Sequence, residues 1–270
     1  EIRYWDFIGV SSHELFHTWN VKNIRPIEMM PYEFSRENYS RLGYVAEGLT
    51  TYYGDLMAYR ASVFSDFEFF KNVHQLFMRH FHNYGRFNLS VADSSFDTWL
   101  DGYEKGVPDR KVSIYTEGAL CALMLDLHLR RESNNEKSLD DVMRKLYEGF
   151  GQKGKGVSEE DYQRVIEEVG GTSYQWFFDK YYNGTENYEP LLTELLKSVG
   201  LEINNTRSRL YFENRFGFKV EYMAGGSAKV IAIAPDSIAD NANLQLGDEI
   251  VSINGIRLES NLKEWCKYFQ

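Results

Sequence analysis

The sequence is poor in cysteine and has no long hydrophobic run. Cys121 and Cys266 are its two cysteines. Neither belongs to a CxxC pair or a metal-ligand spacing, and they fall in different predicted domains, so we expect two buried thiols and no disulfide. No apolar run reaches the roughly 18 residues that suggest a membrane-spanning helix, and no charged start precedes an apolar signal core. The sequence therefore predicts no membrane span.

Basic residues are also in the minority. The chain has 30 Lys and Arg against 40 Asp and Glu, for a formal charge of −10, and no basic cluster interrupts this balance. A nucleic-acid partner is therefore not expected. Hydrophobic residues make up 43% of the 270 residues, which is enough for a substantial core and two domains. Because the chain starts at Glu1 without methionine, we expect a processed or excised piece. The compartment is left open between the bacterial cell envelope and the cytoplasm.

The most informative pattern is HExxH, formed by the segment His13-Glu14-Leu15-Phe16-His17. On a helix, residues four apart lie on one face, so His13 and His17 can bring ring nitrogens to one ion while Glu14 borders the same face. Two imidazoles and a carboxylate base are what a hydrolytic zinc site needs. The ordinary explanation is a polar patch on a surface helix.

A catalytic zinc site has a third protein ligand, and the sequence offers Glu47 for it. Glu47 is the single carboxylate in an apolar stretch that is long enough to be a buried helix, residues 44–53. Burial of an ionised group is costly unless a partner compensates, and a divalent cation would be such a partner. The alternative is a salt bridge to Arg41 or to a more distant basic residue.

Other metal sites fit the sequence less well. A metzincin would have glycine and histidine where this chain has Asn20 and Asn23, so that subclass is excluded. The thermolysin-like arrangement usually has an aspartate four residues after the ligand glutamate, where this chain has Thr51. The remaining histidines are predicted to be surface or packed residues and not a second metal site: His74, His80, His82 and His128.

The residues around these ligands resemble a known family. The segment 12–26, which contains HExxH followed by Thr18-Trp19-Asn20, together with Glu47-Gly48 and the residues to Tyr53, is similar to the signature of the glycyl aminopeptidase family of gluzincin metallopeptidases. The resemblance covers nearly the whole chain. It implies one zinc ion per chain held by His13, His17 and Glu47.

The same resemblance implies a mechanism for peptide hydrolysis. Glu14 is expected to act as the general base that takes a proton from the attacking water and delivers it to the leaving amine. Tyr115, in a segment similar to the Tyr-Glu-Lys-Gly motif of aminopeptidase N relatives, is expected to donate to the oxyanion of the transition state. The match is imperfect, because Glu117 stands where those relatives have lysine. Tyr52 and Tyr53 are rival tyrosines, which we expect to pack around the ligand helix.

We expect a mainly α fold, with a thermolysin-like or aminopeptidase-N-like helical catalytic domain over residues 1–200 and a small β-rich domain over residues 201–270. We expect the helical domain to lack the N-terminal β part that such relatives have. Helix starts are predicted at Ser138 and Ser158, each followed three positions later by an acidic residue. Further predictions are helices over 64–83, 116–131 and 176–182, a helix that opens at Pro190, and a helix that closes at Gly170-Gly171.

Beyond Gly200 the pattern changes to short alternating runs, predicted as strands at 210–213, 217–222, 229–234 and 249–253. The Leu246-Gly247-Asp248 and Ile253-Asn254-Gly255 elements resemble a PDZ domain. The resemblance implies that Phe216, Gly217 and Phe218 bind the terminal carboxylate of a peptide. We expect a last helix over 261–269 and the final PDZ strand to be missing.

The sequence thus predicts a zinc-dependent peptidase, and the resemblance implies an aminopeptidase that releases small N-terminal residues such as Gly or Ala. Peptides are the expected substrates, and a peptide C-terminus is the expected partner of the PDZ-like domain. Two alternatives stay open. One is a zinc endopeptidase, and the other is a PDZ peptide-binding adaptor with a degenerate hydrolase site.

Overall fold

The computed structural model describes residues 2–101 and 109–268. Two compact units divide the chain, Glu1–Glu202 and Ile203–Gln270. The first unit is helical and the second contains the strands, so the expected fold class is confirmed. Among the helices of the described residues, none combines the length and the apolar character needed to cross a membrane.

The helical unit is organised around one buried helix, α5, in which nearly every side chain from Ile114 to Leu129 is buried. Helices α2, α3, α4, α6 and α9 pack against it. Cys121 lies in α5 and is buried and free, as is Cys266 in the second unit. The helices are α1 (Ile2–Phe16), α2 (Thr50–Arg60), α3 (Asp66–Phe81), α4 (Val91–Asp101), α5 (Ile114–Glu132), α6 (Leu139–Gly149), α7 (Glu159–Gly170), α8 (Gln175–Phe177) and α9 (Glu189–Ser198).

Short irregular helices join these elements. A π-helical turn, Tyr44–Leu49, runs directly into α2, and a second one, Phe178–Tyr182, continues α8. Short 3₁₀ turns occur at Ile27–Met29, Tyr84–Phe87 and Gly151–Lys153. The first π turn carries Glu47.

The predicted helix ends agree with the local chemistry. Ser138 and Ser158 form capping boxes with Asp141 and Asp161, in which each serine side chain and each acidic side chain satisfies an otherwise unpaired backbone N–H. Gly171 ends α7 with φ +68°, a conformation that favours glycine. The helix predicted from Pro190 begins one residue earlier, at Glu189.

The second unit contains a three-stranded antiparallel sheet in the order β1-β2-β3 and a small hairpin, β4-β5. Phe218 pairs with Ile233 and Tyr222 with Ala228 along β1 and β2. Asn254 and Gly255 join β4 to β5 with φ +51° and +75°, as the tight turn of a two-residue hairpin requires. The elements are β1 (Phe218–Tyr222), β2 (Ala228–Ile233), α10 (Ile238–Asn241), β3 (Glu249–Ile250), β4 (Ser252–Ile253), β5 (Ile256–Arg257) and α11 (Leu262–Tyr268).

One predicted strand is wrong. The segment 210–213 leads into a π-helical turn, Phe212–Phe216, instead of pairing in the sheet. Phe212 is 3% exposed and packs with Phe218 and Cys266 in the core of this unit, and Gly217 ends the turn with φ +80°. A short alternating run does not distinguish a strand from one helical turn that buries a single aromatic residue. The helix predicted over 261–269 is observed as α11, and Phe269 lies outside the described residues.

Candidate active site

The candidate site lies where α1 ends against the π turn and α2. His13 is in the last turn of α1, and His17 follows directly, with its N–H bonded to the carbonyl of His13. The two imidazole centroids are 4.7 Å apart. Glu47 reaches both rings from the π turn: its Oε2 lies 3.3 Å from Nε2 of His13 and 3.4 Å from Nε2 of His17. The structure thus brings together the three residues that the sequence proposes as metal ligands.

The alternative partner for Glu47 is occupied elsewhere. Arg41 forms ion pairs with Asp93 and Glu159 and donates to Asn183, so it ties the start of the π turn to α4 and α7. Glu47 therefore pairs with two imidazoles and not with the Arg41 guanidinium.

The outer nitrogens of both rings have partners that fix which nitrogen carries the proton. Nδ1 of His17 lies 3.0 Å from the carbonyl oxygen of Asn20. Because a carbonyl can only accept, this Nδ1 carries a proton, and in the neutral ring Nε2 then has the free lone pair. Nδ1 of His13 lies 3.4 Å from the Thr51 hydroxyl, which itself donates to the carbonyl of Glu47, so it too is placed to donate.

These contacts allow a test of whether the three residues fit zinc. With both rings neutral, two nitrogen lone pairs and one carboxylate oxygen converge on the same point, and such a set of acceptors needs a proton or a cation between them. Ligands of a tetrahedral zinc at about 2.0–2.2 Å lie about 3.3–3.5 Å from each other. The observed separations of 3.3 and 3.4 Å agree with that spacing. Two imidazoles and one carboxylate also form one of the donor sets of catalytic zinc.

The charges within the group are consistent with a ligand role for Glu47. In the metal-free protein, where a proton on Nε2 takes the place of the cation, partial burial favours a higher pKa for Glu47, but hydrogen bonds from His13 and His17 outweigh it and lower the pKa to about 2. The hydrogen bond with Glu47 in turn raises the pKa of His17, against the opposing effect of burial. Glu47 is therefore ionised at neutral pH, as a metal-binding carboxylate must be.

Glu14 lies beside the same group but in a different environment. A donor atom from each of His13, Glu14 and His17 lies within 4.8 Å of the others, so distance alone would also admit Glu14 as a ligand. Glu14 is exposed, whereas the half-buried Glu47 is within 3.4 Å of both Nε2 atoms. The shorter contacts make Glu47, and not Glu14, the better candidate for the third ligand. Glu14 is left at the open side of the group, where a solvent molecule can reach it.

The three candidate tyrosines are separated by their surroundings. Tyr115, in the first turn of α5, is half-buried, and its ring centroid lies 6.1 Å from that of His13. Tyr52 donates to Asp126, and Tyr53 donates to Asp140 while its ring stacks on Phe16 at 4.6 Å. The hydroxyls of Tyr52 and Tyr53 are thus used in hydrogen bonds to carboxylates. Of the three candidates, Tyr115 is the one whose ring lies beside His13.

Close backbone contacts hold the three segments together. A Cβ added at Gly48 would lie 2.4 Å from Cα of Gly118, and one added at Gly118 would lie 2.7 Å from the carbonyl oxygen of Tyr44. On the other side, a Cβ added at Gly54 would lie 3.0 Å from Cα of His13. The π turn can therefore touch α5 and α2 can touch α1 only without side chains at these positions. In the sequence, two glycines indicate this close approach of the π turn and α5: Gly48, which follows Glu47, and Gly118, three residues after Tyr115.

The remaining histidines lie apart from this group. His80 is buried and pairs with Glu117 at 2.7 Å, and His128 lies 3.2 Å from the Tyr174 hydroxyl. His74 and His82 are exposed. Within residues 2–101 and 109–268, the group around HExxH is the one cluster of metal-binding side chains found. The buried His80–Glu117 pair was not predicted, since nothing in the spacing of residues 80 and 117 indicates contact.

In the second unit, the loop predicted to bind a peptide carboxylate is the end of the short π turn. The N–H of Gly217 donates to the carbonyl of Phe212, and the carbonyl of Gly217 accepts from the N–H of Ala234. Phe216 is half-buried and Phe218 is buried against the core. The N–H of Gly217 is therefore already bonded within the turn. Peptide binding by Phe216, Gly217 and Phe218 stays a prediction.

The helical fold and the HExxH group define a peptidase-type domain, and comparisons with known proteins make this more specific. Residues 6–121 match the family model described as M61 glycyl aminopeptidase, and residues 229–270 match the model of a PDZ domain. These two matches agree with the sequence resemblance to a glycyl aminopeptidase followed by a PDZ domain.

A solved structure is similar over nearly the whole chain. It is the crystal structure of an aminopeptidase N family protein from Idiomarina loihiensis, 27% identical, with a TM-score of 0.86 over 98% of this chain and 47% of that one. The present chain thus spans about half the length of that protein. A search of curated proteins finds no match.

Proposed function

We propose that this chain is a zinc-dependent peptidase, and that it acts as an aminopeptidase on peptides with small N-terminal residues such as glycine or alanine. The observation that carries the proposal is the convergence of Nε2 of His13, Nε2 of His17 and Oε2 of Glu47. The match of residues 6–121 to the glycyl aminopeptidase model supports the substrate class.

In this proposal His13, His17 and Glu47 hold one zinc ion. Zinc held by these three ligands would supply Lewis acidity for activation of a water molecule and polarisation of the scissile carbonyl. The carboxylate of Glu14 accepts the proton of the attacking water and passes it to the leaving amine. The contacts of Asn20 and Thr51 with the outer ring nitrogens keep Nε2 of each imidazole available for the metal.

Tyr115 is proposed to stabilise the oxyanion with its hydroxyl, because its ring lies beside His13 in the first turn of α5. Tyr115→Phe is expected to lower kcat by about 10²-fold or more and to leave zinc binding unchanged, since loss of one oxyanion donor removes stabilisation of the transition state. Steady-state kinetics and elemental analysis would measure the two effects. Tyr39→Phe is a matched control, since Tyr39 is also half-buried and its ring stacks on Phe96 away from the site. Parent kinetics in the Tyr115 variant would remove this residue from the mechanism.

The choice between aminopeptidase and endopeptidase depends on the free amino group of the substrate. Cleavage of a Gly- or Ala-initiated peptide and of the same peptide with an acetylated N-terminus should be followed by mass spectrometry. We expect release of the first residue from the free peptide and no cleavage of the blocked one. Cleavage of the blocked peptide at a similar rate would favour the endopeptidase.

The adaptor alternative has less support. A degenerate hydrolase site would be expected to have lost a ligand or the base, whereas this chain has His13, Glu14, His17 and Glu47 in one group. The match to a PDZ domain supports peptide binding by the second unit, in addition to hydrolysis by the first. A parent protein that binds no zinc when folded and supplied with metal would favour the adaptor.

A further inference from the structure

We propose that Asn20 is a positioning residue for the zinc site, which holds both the His17 imidazole and the π turn that carries Glu47. This inference rests on the proposed function of the same site. Asn20 is 1% exposed and lies three residues after His17, beyond the end of α1. Its side chain and its backbone contact two different ligand-bearing segments.

The side chain of Asn20 bonds to the π turn. Its amide nitrogen donates to the carbonyl of Val45 at 2.7 Å and to the Thr50 hydroxyl at 3.0 Å, and it lies 3.4 Å from the carbonyl of Ala46. Thr50 donates onward to the carbonyl of Ala46 at 2.7 Å. The two carbonyls that accept in this network belong to Val45 and Ala46, the two residues directly before Glu47. The amide of Asn20 thus fixes the turn from which the Glu47 carboxylate extends.

The backbone of Asn20 bonds to the other segment. Its carbonyl oxygen accepts from Nδ1 of His17 at 3.0 Å, which sets the orientation of that ring and leaves Nε2 toward Glu47. One residue therefore places both the imidazole and the carboxylate. A π turn is a frequent device at functional sites, and here the carbonyl of Val45 accepts a hydrogen bond from outside the helix.

The backbone after Asn20 is held in a conformation that the local sequence does not favour. Val21 has φ +93°, an unusual value for a β-branched residue that persists where the surroundings impose it. The N–H of Val21 donates to the carbonyl of Ile24, and Nε of Arg25 donates to the carbonyl of Val21 at 3.0 Å. The turn is fixed in the conformation that directs the Asn20 carbonyl to His17. Strain held beside a group of ligands indicates a functional constraint on this segment.

A purely structural role for Asn20 makes a different prediction, and Asn38 provides the matched comparison. Asn38 is also buried and also bonds to backbone, donating to the carbonyls of Glu33 and Arg36 and accepting from the N–H of Glu33. These contacts lie in the loop before the π turn and involve no proposed ligand. Loss of either amide should reduce stability, but only loss of the Asn20 amide should weaken metal binding.

The experiment measures zinc affinity by competition with a chelator, the absorption spectrum of the cobalt-substituted protein, and thermal unfolding of the metal-free protein. For Asn20→Ala we expect zinc affinity to fall by about 10–100-fold, the usual effect of losing a residue that orients a ligand, and the cobalt spectrum to change. For Asn38→Ala we expect a lower unfolding temperature with the parent affinity and spectrum.

Thr50→Val serves as a milder second variant in case Asn20→Ala does not fold. It keeps the side-chain shape but removes the hydroxyl that Asn20 donates to, so we expect a smaller loss of zinc affinity in the same direction. The inference about Asn20 would be overturned if a folded Asn20→Ala protein kept the zinc affinity and cobalt spectrum of the parent. If only Thr50→Val folds, the same result in that variant would overturn it. Neither result would affect the proposed function. A folded parent that binds neither metal would overturn the proposed function together with the inference.

Discussion

Glu14→Gln is expected to lower kcat by about 10²–10⁴-fold while zinc stays bound, because glutamine keeps the size of the side chain but cannot accept the proton of the attacking water. Glu14 is exposed at the open side of the group, whereas the ring nitrogens of His13 and His17 face Glu47. Removal of its charge should therefore affect proton transfer and not metal retention. Single-turnover kinetics on a Gly- or Ala-initiated peptide, with zinc per chain measured on the same samples, separates the two effects.

A matched control is Glu37→Gln, which removes one charge from an exposed glutamate in the loop between α1 and the π turn that carries Glu47. It should retain both the parent rate and the parent zinc content. If Glu14→Gln hydrolysed the peptide as fast as the parent, the role of Glu14 as general base would be wrong. Loss of zinc together with activity would indicate that Glu14 is a ligand.

Glu47→Ala is expected to reduce bound zinc from near one ion per chain to a small fraction of that value, with hydrolysis falling to background. The variant leaves two imidazoles, which are too few for a catalytic zinc site. The loss of affinity should exceed the roughly 10–100-fold that follows removal of a residue that only orients a ligand. Elemental analysis after dialysis, followed by chelator competition, would measure it.

Glu159→Ala is the appropriate control for Glu47→Ala. Its carboxylate has similar exposure, 30% against 26%, and bonds to Arg41 instead of to histidine. This variant should keep its zinc although the ion pair with Arg41 is lost. Equal zinc content in Glu47→Ala and in the parent would contradict the three-ligand site.

The part of the site that follows from helical spacing was predictable from the sequence. His13 and His17 are four residues apart, so one helical turn brings their rings together, and the structure places the centroids 4.7 Å apart. Glu47 was predicted because a lone carboxylate in an apolar stretch needs a partner, and Tyr115 because of its motif. The structure places Glu47 against both histidine rings and Tyr115 beside His13, while their chemical roles stay predictions.

The supporting contacts were not predictable in the same way. A π turn adds one residue to a helical turn, and the apolar stretch around Glu47 gives no signal for that insertion. The partners of Asn20 lie across the chain in residues 45–50, and an asparagine after a helix has many local partners available. Thr51 was noted only as a departure from the thermolysin-like pattern, yet its hydroxyl lies against the outer nitrogen of His13. Tertiary contacts decide these positions.

At one place, the local sequence pattern did not distinguish a strand from a helical turn. Leu210, Tyr211 and Phe212 are apolar or aromatic residues of the type that favours a strand, but the burial of Phe212 and the positive φ of Gly217 are satisfied by a helical turn. The longer helices were predicted well because several turns of periodicity, a capping serine and a closing glycine indicate the same element.

The contact between Gly48 and Gly118 has a consequence for how this site can be altered. The segments that carry the carboxylate and the tyrosine meet through main-chain atoms, so no exchange of neighbouring side chains can adjust the spacing between them. Only glycine fits at positions 48 and 118 unless one of the two segments moves. Substitutions that leave these two segments in place are therefore confined to other positions, such as the residues at the open side of the group.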